Sequence, residues 1–166
     1  HKAGKVGELV AIQECKLASP EINSALKSIS EYVASNKLPI YDPGSKQGNL
    51  RYATIRSSEI EKTVLVNITS RERFDAEKLF QYIREAGVNL ASGWITLNPH
   101  PIHGAQGESV HIYGDKALKE VLAGVEVKVS PFSFIQTNPV ACEVLYRVVK
   151  EYSEPSEEDV VLDLYS

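Results

Sequence analysis

The residues best suited to chemistry in this sequence form one short run, Phe134-Ile-Gln-Thr-Asn138. The run contains an aromatic ring, a hydroxyl and an amide that can both donate and accept hydrogen bonds. Asn138 and Pro139 are typical of a helix start, with Asn as the N-cap and Pro at the first helical position. Unpaired backbone N–H groups point outward at a helix N-terminus, so the run could hold a ligand there. The alternative is a core strand that turns into a surface helix.

Hydrophobic periodicity predicts the elements that would position this run. Helices are predicted from about Ser19, over 75–86 and over 139–152. Strands are predicted over 5–13, 50–57, 62–69, 88–97, 110–113, 125–129 and 159–165, with a helical turn or loop over 116–123. This order indicates an α/β fold of the α+β type, a mixed and largely antiparallel sheet with helices packed on it.

Burial predictions concern the C-terminal part of the chain. The last helix places its apolar residues at helical spacing, which predicts one buried face. That face comprises Ala141, Leu145, Val148, Val149 and Tyr152. The run over 159–165 is apolar enough to predict a buried strand.

Composition limits the classes of function. The 166 residues suffice for one domain and the edge of a second. A net charge of -4 means that a nucleic-acid partner would need a local basic patch, or another domain to supply one. No apolar run approaches the roughly 20 residues of a membrane span, and two cysteines are too few for a disulfide framework. A cytoplasmic protein is therefore predicted, with an organelle left open. The start at His1 and the lack of methionine are interpreted as a fragment of a longer protein.

Four segments occur in an informative order: 48–56, 107–114, 129–139 and 160–165. The most specific part is Phe134-Ile-Gln-Thr-Asn138, followed by a helix and then by Val-Leu-Asp-Leu-Tyr165. Together they resemble the RNA 5-methyluridine (uracil-5-) methyltransferases. These are S-adenosylmethionine-dependent enzymes that methylate uracil C5 in ribosomal and transfer RNA.

The resemblance implies a domain organisation and a site. Residues 1–153 would form the central α/β domain, and 154–166 a linker and the first strand of a truncated, Rossmann-like S-adenosylmethionine-binding domain. The chain would then be a fragment of a 23S rRNA or tRNA uracil-5-methyltransferase that contributes residues on the substrate side. In the family, the Phe and Gln of the motif line the site, which points to Phe134 against the flipped base and Gln136 bonded to uracil or the cofactor.

Other parts of the family site are expected downstream of Ser166. The resemblance places the cysteine nucleophile, the carboxylate base and the Gly-rich cofactor loop there, and Ser166 stands where the family usually has Cys. No catalytic residue is therefore assigned within this chain, and the chain alone is not expected to be active. The alternative function is a non-catalytic module that binds RNA or protein through the same domain.

Two further groups of residues could bind a ligand. Many family members hold a [4Fe–4S] cluster, and Cys15 matches the position of its last cysteine ligand, with the other three expected upstream. Cys15 is thus a candidate relic ligand. The resemblance leaves a cluster open for the parent protein, and none is expected in this chain. Histidines 100, 103 and 111 could suggest a metal, although a surface loop is the simpler interpretation. Arg51, Arg56, Arg71 and Arg73 could contact RNA phosphates, or be ordinary solvated charges.

Overall fold

The computed structural model describes residue 4 and residues 12–100, 107–154, 156–162 and 164. In chain order the elements are α1 (Pro20–Ser35), β1 (Leu50–Ser58), β2 (Thr63–Ser70), α2 (Ala76–Glu85), β3 (Leu90–Leu97), β4 (Glu108–Gly114), β5 (Leu118–Leu122), β6 (Val125–Val129) and α3 (Pro139–Ser153).

Four of the strands form a mixed sheet in the order β1-β2-β3-β4. β1 and β2 are antiparallel, β2 and β3 are parallel, and β3 and β4 are antiparallel. The parallel pair is possible because α2 carries the chain from the end of β2 back to the start of β3. β5 and β6 form a separate antiparallel hairpin. The predicted mixed, largely antiparallel sheet with helices is confirmed.

Helices α1 and α2 cover one face of the sheet and bury the main core with it. Phe80, Leu79 and Ile83 of α2 are almost fully buried against Val64 and other β2 residues. Burial of such a side chain stabilises the fold by roughly 1.5–3 kcal/mol. The packing is close because Gly93 leaves room for an aromatic ring: a Cβ atom there would lie 2.8 Å from Cδ2 of Phe80.

The hairpin β5–β6 covers part of the opposite face of the sheet. Leu65 of β2 is buried there with Leu118 and Val129, which lie on β5 and β6. Two hydrogen bonds attach β5 to the turn after β1. The hydroxyl of Ser58 donates to the carbonyl of Lys119 (2.8 Å), and the backbone N–H of Glu59 donates to the Glu120 carboxylate (2.8 Å). The hairpin, and the chain that follows it, are thereby held against the sheet.

Helix α3 differs from the prediction of a buried face. Only Cys142 is buried, whereas Leu145 is 51% exposed, Val149 54% and Tyr152 88%. Amphipathic spacing predicts that a face can be buried, but it does not say what covers the face. In the part of the chain that the structure describes, the contacts of α3 with other elements are mainly to β5.

The predicted strand over 159–165 is not formed in its described residues. Val160 is 94% exposed and Leu162 74% exposed, and neither lies in a strand. A strand needs a neighbour with which to exchange backbone hydrogen bonds, and no strand of the described sheets pairs with this run. The prediction of burial is wrong for these residues in this structure, and the assignment of 154–166 to a following domain stays a prediction.

Two other segments depart from the predicted pattern. The prediction of a helical turn or loop over 116–123 is wrong, because Leu118–Leu122 is β5. The two buried residues there, Leu118 and Glu120, are two positions apart, and a period of two residues is that of a strand. The strand predicted over 5–13 falls almost entirely outside the described residues. Among the helices that are described, none has both the length and the apolar character to cross a membrane.

Replacement of Glu120 by Ala should lower the free energy of unfolding by about 1–3 kcal/mol, because it removes a buried carboxylate acceptor from the link between hairpin and sheet. Denaturant unfolding of the chain measures this change. Glu126→Ala, at an exposed position on β6, is the matched control and should change the value by less than about 0.5 kcal/mol. Equal effects of the two variants would contradict the anchoring role of Glu120.

Candidate functional site

Residues 130–139, called here the motif segment, connect β6 to α3. The strand ends at Val129, and a tight turn follows at once. The backbone N–H of Ser133 donates to the carbonyl of Ser130 (3.3 Å), and the N–H of Ser130 donates to Oγ of Ser133 (3.0 Å). The strand therefore stops before the two phenylalanines, and residues 133–138 have no regular secondary structure.

The side chains of the second half of the motif segment alternate between solvent and protein. Ile135 is partly buried and packs against the cluster formed by Leu65, Leu118 and Val129. Phe134 on one side of it is 88% exposed, and Gln136 on the other side is exposed. Phe134 is therefore not a core residue in this structure. An exposed ring and an exposed amide two residues apart are available to a ligand.

The motif segment ends in the predicted helix start. The side-chain Oδ1 of Asn138 accepts a hydrogen bond from the backbone N–H of Ala141 (3.0 Å), and Pro139 is the first helical residue. This cap satisfies one of the donors that a helix N-terminus leaves without a partner. The end of the segment is therefore attached to α3.

An arginine from the sheet holds the beginning of the motif segment. Nη2 of Arg56, on β1, donates to the carbonyl oxygens of Pro131 (3.1 Å) and Ser133 (2.7 Å), and Nε lies 3.3 Å from the same Pro131 oxygen. Burial lowers the pKa of this guanidinium from its ordinary value. Arginine nevertheless stays protonated in proteins, so these are charge-assisted bonds.

Comparisons with known proteins show what family this arrangement belongs to. The chain is 34% identical over 164 residues to an uncharacterized RNA methyltransferase of Nanoarchaeum equitans, and the match covers 98% of the chain. It is 29% identical over 170 residues to another from Caldanaerobacter subterraneus, with 99% of the chain covered. This chain belongs to a family of RNA methyltransferases. It spans 37% and 38% of the length of these two relatives.

A solved structure shows the same fold. The tRNA (uracil-54, C5)-methyltransferase of Pyrococcus abyssi, determined in complex with S-adenosyl-L-homocysteine, matches with a TM-score of 0.75 and 24% identity. The match covers 87% of this chain and 35% of that enzyme. No model of a protein family matches the chain. The relatives confirm the class of RNA methyltransferases that the sequence motifs indicated, and the solved structure adds the fold.

The candidate metal ligands of this chain are not brought together. The backbone of Cys15 exchanges hydrogen bonds with the Asn23 side chain (2.9 and 3.0 Å), and its thiol is free. With two cysteines, the chain cannot supply four thiolates to a [4Fe–4S] cluster. His111 packs against Trp94, and His103 lies outside the described residues. The described ranges contain no group of three His, Cys, Asp or Glu placed to hold a metal.

Three of the four arginines proposed as phosphate contacts bind loops of the protein itself. Arg51 donates to the carbonyls of Asn98 and His100, and Arg71 to those of Lys46 (3.0 Å) and Gly48 (3.4 Å). Arg56 binds the motif segment as described above. Arg73 is largely exposed and lies 3.8 Å from a carboxylate oxygen of Glu108. A guanidinium bound to carbonyls keeps its charge, but its position is set by the fold.

The role of Arg56 is the part of the site that sequence reasoning missed. Its partner Pro131 is 75 residues away along the chain, and no spacing rule connects them. The sequence contains only a weak signal for this contact. Arg56 follows Ile55 in an alternating strand, which places its side chain on the face opposite the main core. What lies on that face could not be deduced from periodicity.

The exposure of Phe134 and Gln136 predicts that neither side chain supports the fold. Phe134→Ala and Gln136→Ala should each change the free energy of unfolding by less than about 0.5 kcal/mol, as expected for surface positions. Asn138→Ala should lower it by about 1 kcal/mol, because the helix cap is lost. Denaturant unfolding of all three variants tests this contrast. A loss of stability in Phe134→Ala equal to that in Asn138→Ala would contradict the surface placement.

Proposed function

We propose that this chain is the central domain of an S-adenosylmethionine-dependent RNA uracil-5-methyltransferase, and that it forms the substrate side of the active site. The observation that carries the proposal is the exposure of Phe134 and Gln136 on a motif segment whose backbone is fixed to the sheet and to α3. The RNA methyltransferase relatives support the reaction class, and the tRNA (uracil-54, C5)-methyltransferase of similar fold supports uracil as the base.

The chemistry of the two side chains suits a flipped pyrimidine. An enzyme that modifies a base within folded RNA extrudes that base into a pocket and reads its Watson–Crick edge. The Gln136 amide can accept from uracil N3–H and donate to the neighbouring carbonyl oxygen. The Phe134 ring offers a flat apolar surface, and base–aromatic stacking contributes about 1–3 kcal/mol. The pair could therefore orient uracil and favour its extruded state.

The methyl donor places a different demand on the site. S-adenosylmethionine would supply the methyl group. This molecule carries both a charged sulfonium and a nucleoside, and it needs an enclosed pocket. A single exposed ring and amide fit a base better than they fit such a cofactor, so we assign Phe134 and Gln136 to the substrate. We propose that the cofactor pocket, the cysteine nucleophile and the carboxylate base lie in the part of the relatives that this chain does not span. Cytoplasmic ribosomal or transfer RNA, or its organellar counterpart, would be the substrate.

Replacement of Gln136 by Ala in the whole enzyme should lower kcat/KM for uridine methylation by roughly 10–100-fold, because the hydrogen bonds between the amide and the Watson–Crick edge of uracil are lost. Phe134→Ala should raise KM by about tenfold through lost stacking. Transfer of a radiolabelled methyl group to a tRNA transcript and to a 23S rRNA fragment measures both effects and distinguishes the two RNA classes. Glu126→Ala is the control. Unchanged turnover in Gln136→Ala would remove that residue from the site.

The chain of 166 residues should not bind the methyl donor measurably by itself, because its exposed motif segment offers only the substrate side. Isothermal titration calorimetry with S-adenosylmethionine, and separately with S-adenosylhomocysteine, tests this. Binding in the micromolar range would contradict the assignment of the cofactor pocket to residues outside the chain.

A further inference from the structure

The position of Arg56 relative to the motif segment has a consequence for the reaction. Arg56 pairs with Leu65 across β1 and β2, so its side chain lies on the face that carries the Leu65 cluster. The neighbouring Ile55 packs into the main core on the other face. The guanidinium therefore reaches the motif segment directly from the sheet.

The hydrogen bonds of Arg56 end next to the candidate substrate residues. Its two acceptors, the carbonyls of Pro131 and Ser133, lie on either side of Phe132, and Ser133 is directly followed by Phe134. Pro131 is buried, so its carbonyl has limited access to water. A planar guanidinium fork can bind two carbonyls at once, and that geometry fixes direction as well as distance.

The remaining supports of the motif segment act at other points. The turn at Ser130 is closed by its own hydrogen bonds to Ser133, Ile135 is held by apolar contact, and Asn138 is held by the helix cap. Among the described contacts, Arg56 alone supplies charged hydrogen bonds between the sheet and the backbone that leads into Phe134. Loss of these bonds would detach the turn from the sheet while the core residues stay in place.

We propose that Arg56 is a positioning residue for methyl transfer: it holds the backbone from which Phe134 and Gln136 reach the base. It acts through these two residues and does not touch the substrate. This inference rests on the proposed function of the motif segment. A displacement of about 1 Å in a positioned group can cost up to roughly 100-fold in rate, so the effect should be visible in kcat.

The first test uses the whole enzyme and the methyl-transfer assay. Arg56→Met should lower kcat by about tenfold or more with a smaller change in KM. Arg56→Lys should recover only part of the loss, because one ammonium group cannot reproduce the planar fork. Arg84→Met is the matched control, since it removes an exposed guanidinium on α2, on the other side of the sheet. Wild-type kcat in Arg56→Met, with Gln136→Ala impaired, would overturn the positioning role and leave the proposed function intact.

A double-mutant cycle separates positioning from general stability. If Arg56 acts through the motif segment, Arg56→Met should cost at least threefold less in kcat in the Gln136→Ala background than in the wild type, because coupled residues are not additive. Fully additive losses would overturn the inference. Wild-type activity in Gln136→Ala would instead count against the proposed function.

The second test needs no enzymatic activity. In the 166-residue chain, the side-chain amide signals of Gln136 can be assigned in a ¹H–¹⁵N NMR spectrum by their loss in Gln136→Ala. Arg56→Met and Arg56→Lys should shift or broaden these signals, while signals from α2 stay in place and Arg84→Met leaves the Gln136 signals unchanged. Unchanged Gln136 signals in both Arg56 variants would overturn the inference, as would spectra in which the whole sheet is perturbed.

Discussion

Burial of β2 on both faces is the constraint on which the rest of this structure depends. Every residue of the strand from Val64 to Ser70 is buried. One face meets the helices, and the other meets the hairpin, so two layers must be built on a single sheet. The second face also contains polar groups, and the hydroxyl of Thr96 donates to Oδ1 of Asn67 (3.0 Å) within it. The motif segment belongs to this second layer, so the buried sheet and the exposed site form one continuous structure.

The site combines a fixed backbone with free side chains. Substrate contacts must be accessible, yet their position must be defined to a fraction of an ångström. Here the two requirements are met by neighbouring residues of the same segment. Carbonyl and N–H groups of the motif segment bind Arg56 and one another, while the Phe134 ring and the Gln136 amide face solvent. A loop held in this way resembles a rigid element without being a helix or a strand.

Local signals in the sequence predicted the elements well and their surroundings less well. Ser19 and Asn138 were recognisable as caps because capping depends on the residues of a single turn. The short strand β5 was missed because its apolar residues, Leu118, Val121 and Leu122, do not alternate as those of β6 do. The surroundings of the apolar face of α3 and the partner of Arg56 could not be deduced, since both depend on residues distant in the chain. Phe134 and Gln136 were identified through family resemblance, and only the structure revealed their exposure.

The sparse attachment of α3 has a consequence for dynamics. Local opening of a segment costs less free energy than global unfolding when few buried contacts hold that segment. Helix α3 is anchored by one buried residue, Cys142, whereas α2 contributes four to the core. Its amide hydrogens should therefore exchange with solvent faster than those of α2. Opening of the helix after Asn138 would leave the sheet and the Arg56 contacts in place, because these contacts lie at the other end of the motif segment.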